Sequence, residues 1–339
     1  MYLEHFDLKD FPFRLTPDTD FLYMSPSHSR ALSYMEYAVF NQEGFVVITG
    51  EIGSGKTTLI QKLLSEMDEG INVAKVFQTQ LDDVEFLQSV LVEFGMNPFS
   101  AKKVELLNML NQYLIDSYMN NKRVVLIVDD AQNLSKRVLE EICMLSGVET
   151  QKEKILHVIL VGQPELSKTL ELPDMEQLLQ RVSLRYHMRA LTESESLKYI
   201  KYRLSVAGAD SVLFTDDVTK LVYKYTGGIP RLINTLCDTS LTCAYADNEQ
   251  MVNKTVMKVA IDELQWLEYS EYKEQKSSYK VSTDRLYNDI NRGHSEHIKG
   301  ANDDMSESVT SSRIGSMALV EIASQLKRLA DILEKDKNS

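Results

Sequence analysis

A glycine-rich stretch that directly follows an apolar run is the feature that most constrains the fold of this chain. Residues 50–58 read GEIGSGKTT and come straight after FVVIT at 45–49. Glycines allow backbone N–H groups to converge on phosphate oxygens, and a helix that starts near Lys56 adds the positive end of its dipole. A strand, a bare loop and a helix in this order predict a phosphate-binding site at the edge of a sheet.

The spacing of this stretch matches the pattern G-x-x-x-x-G-K-[ST], which is typical of nucleoside triphosphate sites. In such a site Lys56 reaches the β- and γ-phosphates, and the hydroxyl of Thr57 ligates Mg²⁺. The residues expected to form the phosphate cradle are Gly50, Glu51, Ile52, Gly53, Ser54, Gly55, Lys56, Thr57 and Thr58.

A second apolar run ends in two acidic residues and predicts a partner for the metal. The run VVLIVDDAQNL at 124–134 places Asp129 where a buried strand ends, which in a parallel sheet is the edge that binds ligands. We expect Asp129 to hold Mg²⁺ through water, and Asp130 to orient or deprotonate the attacking water. The alternative interpretation is a simple acidic turn after a strand.

Short apolar runs alternate with helical patterns through the first part of the chain, which predicts an α/β fold with a parallel sheet flanked by helices. The predicted strands are residues 45–49, 72–77, 124–130, 156–162 and 183–188. After about residue 190 the patterns are helical only. Thr192 and Glu195 form a capping-box signature there, and Thr215 is the expected cap of a later helix.

The tail of the chain changes in composition. Residues 267–315 are rich in Ser, Asp, Asn, Lys and Glu, which predicts a flexible linker. An apolar stripe then predicts an amphipathic helix at 316–336, which either docks on a partner or on its own body, self-associates, or is only nascent. The predicted segments are therefore a nucleotide-binding α/β domain with an N-terminal element (1–190), an α-helical lid (191–266), the linker and the terminal helix.

Charge and apolar content limit the partners of the chain. Its 339 residues carry 37 basic and 50 acidic side chains, a net charge of -13. This balance argues against a sequence-independent nucleic-acid binder, although a local basic patch stays compatible with it. We see no secretory signal and no run of 18 apolar residues, so we expect a soluble, cytoplasmic protein. Its three cysteines are expected to be free, buried thiols.

Several motifs together resemble a known family. The phosphate loop, VDDAQNL, LVGQPEL, LLQRV, TGGIPRLIN and the N-terminal element PFRLTPD at 12–18 resemble the AAA+ ATPases of the general secretion pathway protein A type. This group includes the ATPases of exosortase, surface-polysaccharide and pilus loci. The resemblance spans roughly residues 1–266 and is far more specific than the phosphate loop alone.

The resemblance implies further site residues. Gln163 matches the polar sensor of the γ-phosphate, and Arg231 matches a second sensor that brings the helical lid onto the phosphates. Arg181 matches an arginine finger that reaches a neighbouring subunit's nucleotide, with Arg185 as a weaker candidate. The residues expected beside the adenine are Phe13, Pro17 and Tyr23.

The resemblance also implies function. It implies ATP and Mg²⁺ as cofactors, and a homo-oligomer with nucleotide at its subunit interfaces. Its implied partners are proteins of an envelope secretion, exopolysaccharide or pilus apparatus, through which the chain would sit at the inner membrane. The family usually has Asp-Glu where this chain has Asp129–Asp130, so we expect slow hydrolysis. The alternatives are a DNA-transaction ATPase and a nucleotide switch that does not hydrolyse.

Overall fold

The computed structural model of the chain describes residues 2–41, 44–68, 70–77, 80–99, 101–149 and 154–275. The predicted terminal helix at 316–336, and the predicted linker beyond residue 275, lie outside these ranges. Residues 1–273 form one compact unit.

Five parallel strands form a single sheet. They are β1 (Phe45–Gly50), β2 (Ile71–Val76), β3 (Arg123–Val128), β4 (Leu156–Gly162) and β5 (Leu184–Met188). Their spatial order is β2-β3-β4-β1-β5, and every neighbouring pair is parallel. The ends of the predicted strands differ from the observed ones by no more than two residues, so the predicted parallel sheet is confirmed.

Helices cover both faces of the sheet. The helices are α1 (Tyr2–His5), α2 (Pro26–Phe40), α3 (Lys56–Ser65), α4 (Asp83–Glu93), α5 (Lys103–Met119), α6 (Lys136–Leu145), α7 (Pro164–Leu170), α8 (Glu176–Arg181), α9 (Glu193–Val206), α10 (Asp216–Thr226), α11 (Pro230–Ala246) and α12 (Lys254–Leu264). In β3, Leu126 faces a core shared with α4, α5 and α6, whereas Ile127 faces a core shared with α2 and α3. This alternation produces three layers, because successive side chains of a strand point to opposite faces.

The N-terminal element packs with the helical lid rather than with the sheet. Its Phe13, together with Phe6 before it and Phe21 after it, shares a buried core with α9, α10, α11 and α12. This differs from the prediction, which grouped the element with the α/β domain, because aromatic spacing in a short segment does not indicate which core it enters. The division at residue 190 stays a prediction.

The predicted helix caps are correct at one helix and half correct at another. At α9 the backbone N–H of Glu195 donates to Thr192 Oγ1, and the N–H of Thr192 donates to Glu195 Oε2 over 2.8 Å, which is a full capping box. At α10, Thr215 occupies the cap position, but its side chain accepts no hydrogen bond from the first turn. The position was predicted correctly, and the side-chain contact was wrong.

Two further expectations concern the cysteines and membrane-spanning helices. The cysteines Cys143, Cys237 and Cys243 are all free and buried. Within the described ranges, no helix combines the length and the apolar composition that a membrane crossing needs.

Candidate nucleotide-binding site

The loop between β1 and α3 has a backbone that only glycine adopts easily. Gly53 has a φ of 78° and Gly55 a φ of 94°, and both values lie in the left-handed region. A Cβ at Gly53 would clash with the side chain of Arg231, and a Cβ at Gly55 would lie 3.0 Å from His28 Nε2. The two glycines therefore permit both the turn itself and the close approach of its neighbours.

Lys56 lies at the mouth of this loop and bonds to backbone oxygens of the loop. Its side chain is buried, and its Nζ donates to the carbonyl oxygens of Gly50 (2.9 Å) and Glu51 (3.0 Å). Burial lowers the pKa of Lys56, and the negative charges of Asp129, Asp130 and Glu51 oppose this shift. Carbonyl oxygens are neutral partners for an ammonium group, so phosphate oxygens would be stronger acceptors in the same place.

The two predicted metal-binding residues are in direct contact at the carboxyl edge of the sheet. Thr57 Oγ1 donates to Asp129 Oδ2 over 2.7 Å, and the backbone N–H of Asp130 donates to Asp129 Oδ1 over 2.9 Å. Burial raises the pKa of Asp129, while these hydrogen bonds and the charge of Lys56 oppose the shift. A buried carboxylate beside a hydroxyl is a suitable pair for Mg²⁺, which binds few protein oxygens and completes its shell with water and phosphate.

Among the residues that the structure describes, no group of three or more His, Cys, Asp or Glu side chains is arranged to hold a metal ion. The assignment of Thr57 and Asp129 as the protein ligands of Mg²⁺ stays a prediction.

Asp130 is exposed and lines a cavity that lies above the phosphate loop. Its backbone is left-handed, with a φ of 50°. Its Oδ1 accepts a hydrogen bond from Gln132 Nε2 over 3.1 Å. The backbone N–H of Gln163, at the end of β4, donates to Gln132 Oε1 over 2.9 Å. Gln132 thus joins two predicted site residues, although it was not itself predicted; its position inside VDDAQNL was the available signal.

The helical lid contacts the phosphate loop through the first turn of α11. The backbone N–H of Arg231 donates to the carbonyl oxygen of Gly53 over 3.1 Å. The side chain of Arg231 is exposed and lines the same cavity as Lys56 and Asp130. The structure therefore brings Arg231 to the phosphate loop, and its role as a second sensor stays a prediction.

A cavity of about 340 Å³ lies above the loop and is closed on one side by the N-terminal element. A place beside a nucleotide base stays a prediction for Pro17 and Tyr23, which line this cavity. Phe13 does not: it is only 1% exposed and packs edge-on against Phe214 in the lid core. The expectation for Phe13 was wrong, because its ring is needed in the core that joins the N-terminal element to the lid.

His28 is a further residue at the loop whose contact the sequence did not indicate. Its Nε2 donates to the carbonyl oxygen of Ser54 over 2.9 Å, and its Nδ1 accepts from Ser25 Oγ over 2.7 Å. Burial lowers the pKa of His28, which favours the neutral ring that this pair of contacts uses. His28 and Ser54 are 26 positions apart in the sequence, which leaves no local pattern from which to predict the contact.

The two arginines considered as fingers lie away from this cavity. Arg181 ends α8, and its guanidinium lies so close to Gly147 that a Cβ there would clash with it. Arg185 on β5 forms an ion pair with Glu171 over 3.7 Å. Neither side chain lines the cavity of its own chain, so a role at a neighbouring subunit's nucleotide stays a prediction.

Comparison with known proteins points to one family. Residues 40–170 match the AAA domain family. The chain is 36% identical over 247 residues to general secretion pathway protein A of Aeromonas hydrophila. This alignment covers 73% of the chain but only 45% of that protein, so the chain spans less than half of its relative's length.

Solved structures share the fold at low identity. Cdc6p from Pyrobaculum aerophilum is 15% identical with a TM-score of 0.58, and the match covers 73% of this chain and 71% of that one. The RuvB branch migration motor of Thermotoga maritima is 19% identical with a TM-score of 0.52, and the match covers 81% of each chain. These solved structures show the fold alone, whereas the sequence relative shows that the chain belongs to the AAA+ ATPases of the general secretion pathway protein A type.

Proposed function

We propose that this chain binds ATP with Mg²⁺ in the cavity above the phosphate loop and hydrolyses it. The observation that carries the proposal is the convergence of Lys56, Thr57, Asp129 and Asp130 at one edge of the sheet. These four residues include the charge types that phosphoryl transfer requires, which are a cation for the phosphates, oxygen ligands for the metal and a carboxylate for the water.

Each residue has a separate task in this proposal. The bound nucleotide supplies the phosphoryl group, and its magnesium ion neutralises developing charge. Lys56 exchanges its two carbonyl partners for phosphate oxygens, while Thr57 and Asp129 hold the cation, the latter through water. Asp130 orients the attacking water and accepts its proton. Arg231, at the start of α11, draws the lid onto the phosphates.

We expect turnover to be slow. Aspartate is one methylene shorter than the glutamate that this family usually carries, so the carboxylate of Asp130 holds a water less effectively at the same distance from the phosphate. A slow rate suits a protein that changes state with its nucleotide rather than a fast motor.

The partners are proposed at a coarser level. The name of the Aeromonas relative supports a client in an envelope secretion system, with exopolysaccharide export and pilus assembly as further candidates. We propose a homo-oligomer in which Arg181 of one copy reaches the nucleotide of the next. The chain would work in the cytoplasm and reach the inner membrane through its protein partners.

Phosphate release with and without Mg²⁺ tests the proposed activity. We expect Mg²⁺-dependent release by the wild-type chain, and a loss of roughly 100-fold in kcat for Asp130→Asn at unchanged ATP affinity. Asp116→Asn is the matched control, because Asp116 is an exposed aspartate on α5 that accepts a hydrogen bond from Gln112 far from the cavity.

Two results, one from ATP binding and phosphate release and one from DNA binding, would contradict the proposal. ATP binding without any Mg²⁺-dependent release would indicate a nucleotide switch that does not hydrolyse. Tight binding to duplex DNA that weakens steeply with salt, measured in the presence of ATP, would indicate a DNA-transaction ATPase instead.

A further inference from the structure

We propose that Gln132 is a positioning residue that holds the carboxylate of Asp130 in its working orientation and ties it to the end of β4. This inference rests on the proposed hydrolysis of ATP, because it concerns the residue that acts on water in that reaction. It assigns a task to a side chain that belongs neither to the phosphate loop nor to the predicted sensors.

The hydrogen bonds of Gln132 define which way its amide faces. The backbone N–H of Gln163 can only donate, so the atom of Gln132 beside it, 2.9 Å away, is the oxygen. The amide nitrogen therefore faces Asp130 Oδ1, 3.1 Å away. This leaves Oδ2 as the oxygen of Asp130 to which no described residue is hydrogen-bonded, and it is the oxygen available to a water molecule.

The backbone around Gln132 supports the view that this contact is built into the site. Asp130 has a φ of 50°, a conformation that is unfavourable for a non-glycine residue and persists where the surroundings enforce it. Gly162 leaves room for the bridge, since a Cβ there would lie 3.0 Å from Gln132 Oε1 and 3.2 Å from its backbone nitrogen. The left-handed residue, the amide bridge and the glycine thus favour one arrangement.

The bridge also couples two parts of the site. Gln163 lies between the last residue of β4, Gly162, and the start of α7, the place where the family resemblance expects a sensor of the γ-phosphate. A change in the position of Gln163 on nucleotide binding would therefore move Gln132 and turn the carboxylate of Asp130. For an aspartate with limited reach, such orientation decides how well it aligns a water.

The test compares Gln132→Ala with Gln112→Ala in the full chain. Gln112 is the matched control because its Nε2 also donates to an aspartate, Asp116, over 2.9 Å, on the exposed face of α5. We expect Gln132→Ala to lower kcat by roughly 10- to 100-fold, with the KM and Kd for ATP within about twofold and an unchanged melting temperature. Gln112→Ala should match the wild type in all four quantities.

A double-mutant cycle separates positioning from a general structural effect. If Gln132 acts through Asp130, adding Gln132→Ala to Asp130→Asn should cause no further loss of kcat. Two results would overturn the role of Gln132 and leave the proposed function intact. One is a double variant whose loss of kcat is the full sum of the two single losses. The other is a Gln132→Ala variant with wild-type kcat while Asp130→Asn is impaired. A wild-type chain that releases no phosphate would overturn the proposed function and this inference with it.

Discussion

The two walls of the nucleotide cavity are held together in different ways. The sheet-edge wall is made by residues that follow strands, such as Thr57 in the first turn of α3 and Asp129 after β3, whose side chains are joined by a direct hydrogen bond. The lid wall depends on contacts between N-terminal residues and the helices of the lid, which are far apart in the sequence. Examples are the hydrogen bonds from Arg203 to the carbonyl oxygens of Pro12 and Phe21. The chemistry thus comes from motifs with recognisable spacing, whereas the enclosure comes from long-range packing.

This difference separates the effects that substitutions should have. A change at the sheet edge should impair binding or turnover while the fold persists, because the polar groups there contribute little to the cores. A change to a buried contact of the lid wall, such as those of Arg203, should first loosen the fold and only then the cavity. The three predictions that follow test this contrast, in decreasing order of expected effect.

Arg203→Ala should have the largest effect on stability. Arg203 is 6% exposed, donates to the carbonyl oxygens of Pro12, Arg14 and Phe21, and lies over the Phe21 ring at 4.7 Å. Its loss removes charged hydrogen bonds that join the N-terminal element to α9, at a cost of about 3 kcal/mol. We expect the melting temperature, measured by calorimetry, to fall by roughly 6–12 °C.

Lys201→Ala is the control for this prediction. Lys201 lies on the same helix, is exposed and pairs with Asp216 over 3.5 Å, so its removal should shift the melting temperature by less than about 1 °C. Equal melting temperatures for the two variants would mean that Arg203 does not join the N-terminal element to the lid.

Arg231→Ala should weaken nucleotide binding without weakening the free protein. Alanine keeps both the Cβ that packs on Gly53 and the N–H that bonds to its carbonyl oxygen, so only the exposed guanidinium is lost. We expect the Kd for ATP to rise about tenfold, in line with the loss of a charge-assisted contact to phosphate. Titration calorimetry measures this change, with Lys254→Ala on α12 as the control.

An unchanged Kd for Arg231→Ala would contradict a direct contact between this residue and the nucleotide. The contrast between the two walls would then be sharper than we propose, because the lid would enclose the nucleotide without binding its phosphates.

The smallest expected effect is a pH dependence that comes from His28. Burial lowers the pKa of His28 in the folded state, so its contribution to stability is complete above the unfolded pKa, near 6.5. That contribution is lost as the pH falls from the unfolded pKa through the folded pKa. Over this range the unfolded chain binds a proton that the folded chain does not. Thermal melts from pH 7 down to pH 5 should show a loss of the order of a few degrees from this residue.

His28→Asn should remove this part of the pH dependence, and His187→Asn, at an exposed position on β5, should not. If the melting temperatures of His28→Asn and the wild type decline in parallel over this pH range, the buried ring is not the group that titrates.

The same contrast explains how much could be predicted from the sequence. The strands were predictable because β1 and β4 are buried along their whole length and therefore read as unbroken apolar runs. The phosphate loop and Asp129 were predictable because their chemistry demands particular residue types at fixed spacing. Their meeting across β4, which lies between β1 and β3, follows from parallel strands ending at one edge.

The remainder depends on contacts that have no local signature. Nothing in the spacing of the N-terminal aromatics indicates that Phe13 belongs to the lid core rather than to the cavity. Arg203 and His28 appear ordinary in the sequence, and their tasks follow only from partners far along the chain. Gln132 was visible within a motif, but its bridge to Gln163 depends on the pairing of β3 with β4.

The most direct test of the account is the affinity of the chain for ATP with and without the ammonium group of Lys56. Titration calorimetry in the presence of Mg²⁺ should show binding by the wild type and by Lys62→Ala, whose lysine lies on α3 and pairs with Glu66 over 2.8 Å. Lys56→Ala should bind at least roughly 100-fold more weakly, because a charged partner of the phosphates is lost. A Lys56→Ala chain that binds ATP as tightly as the wild type would contradict the account.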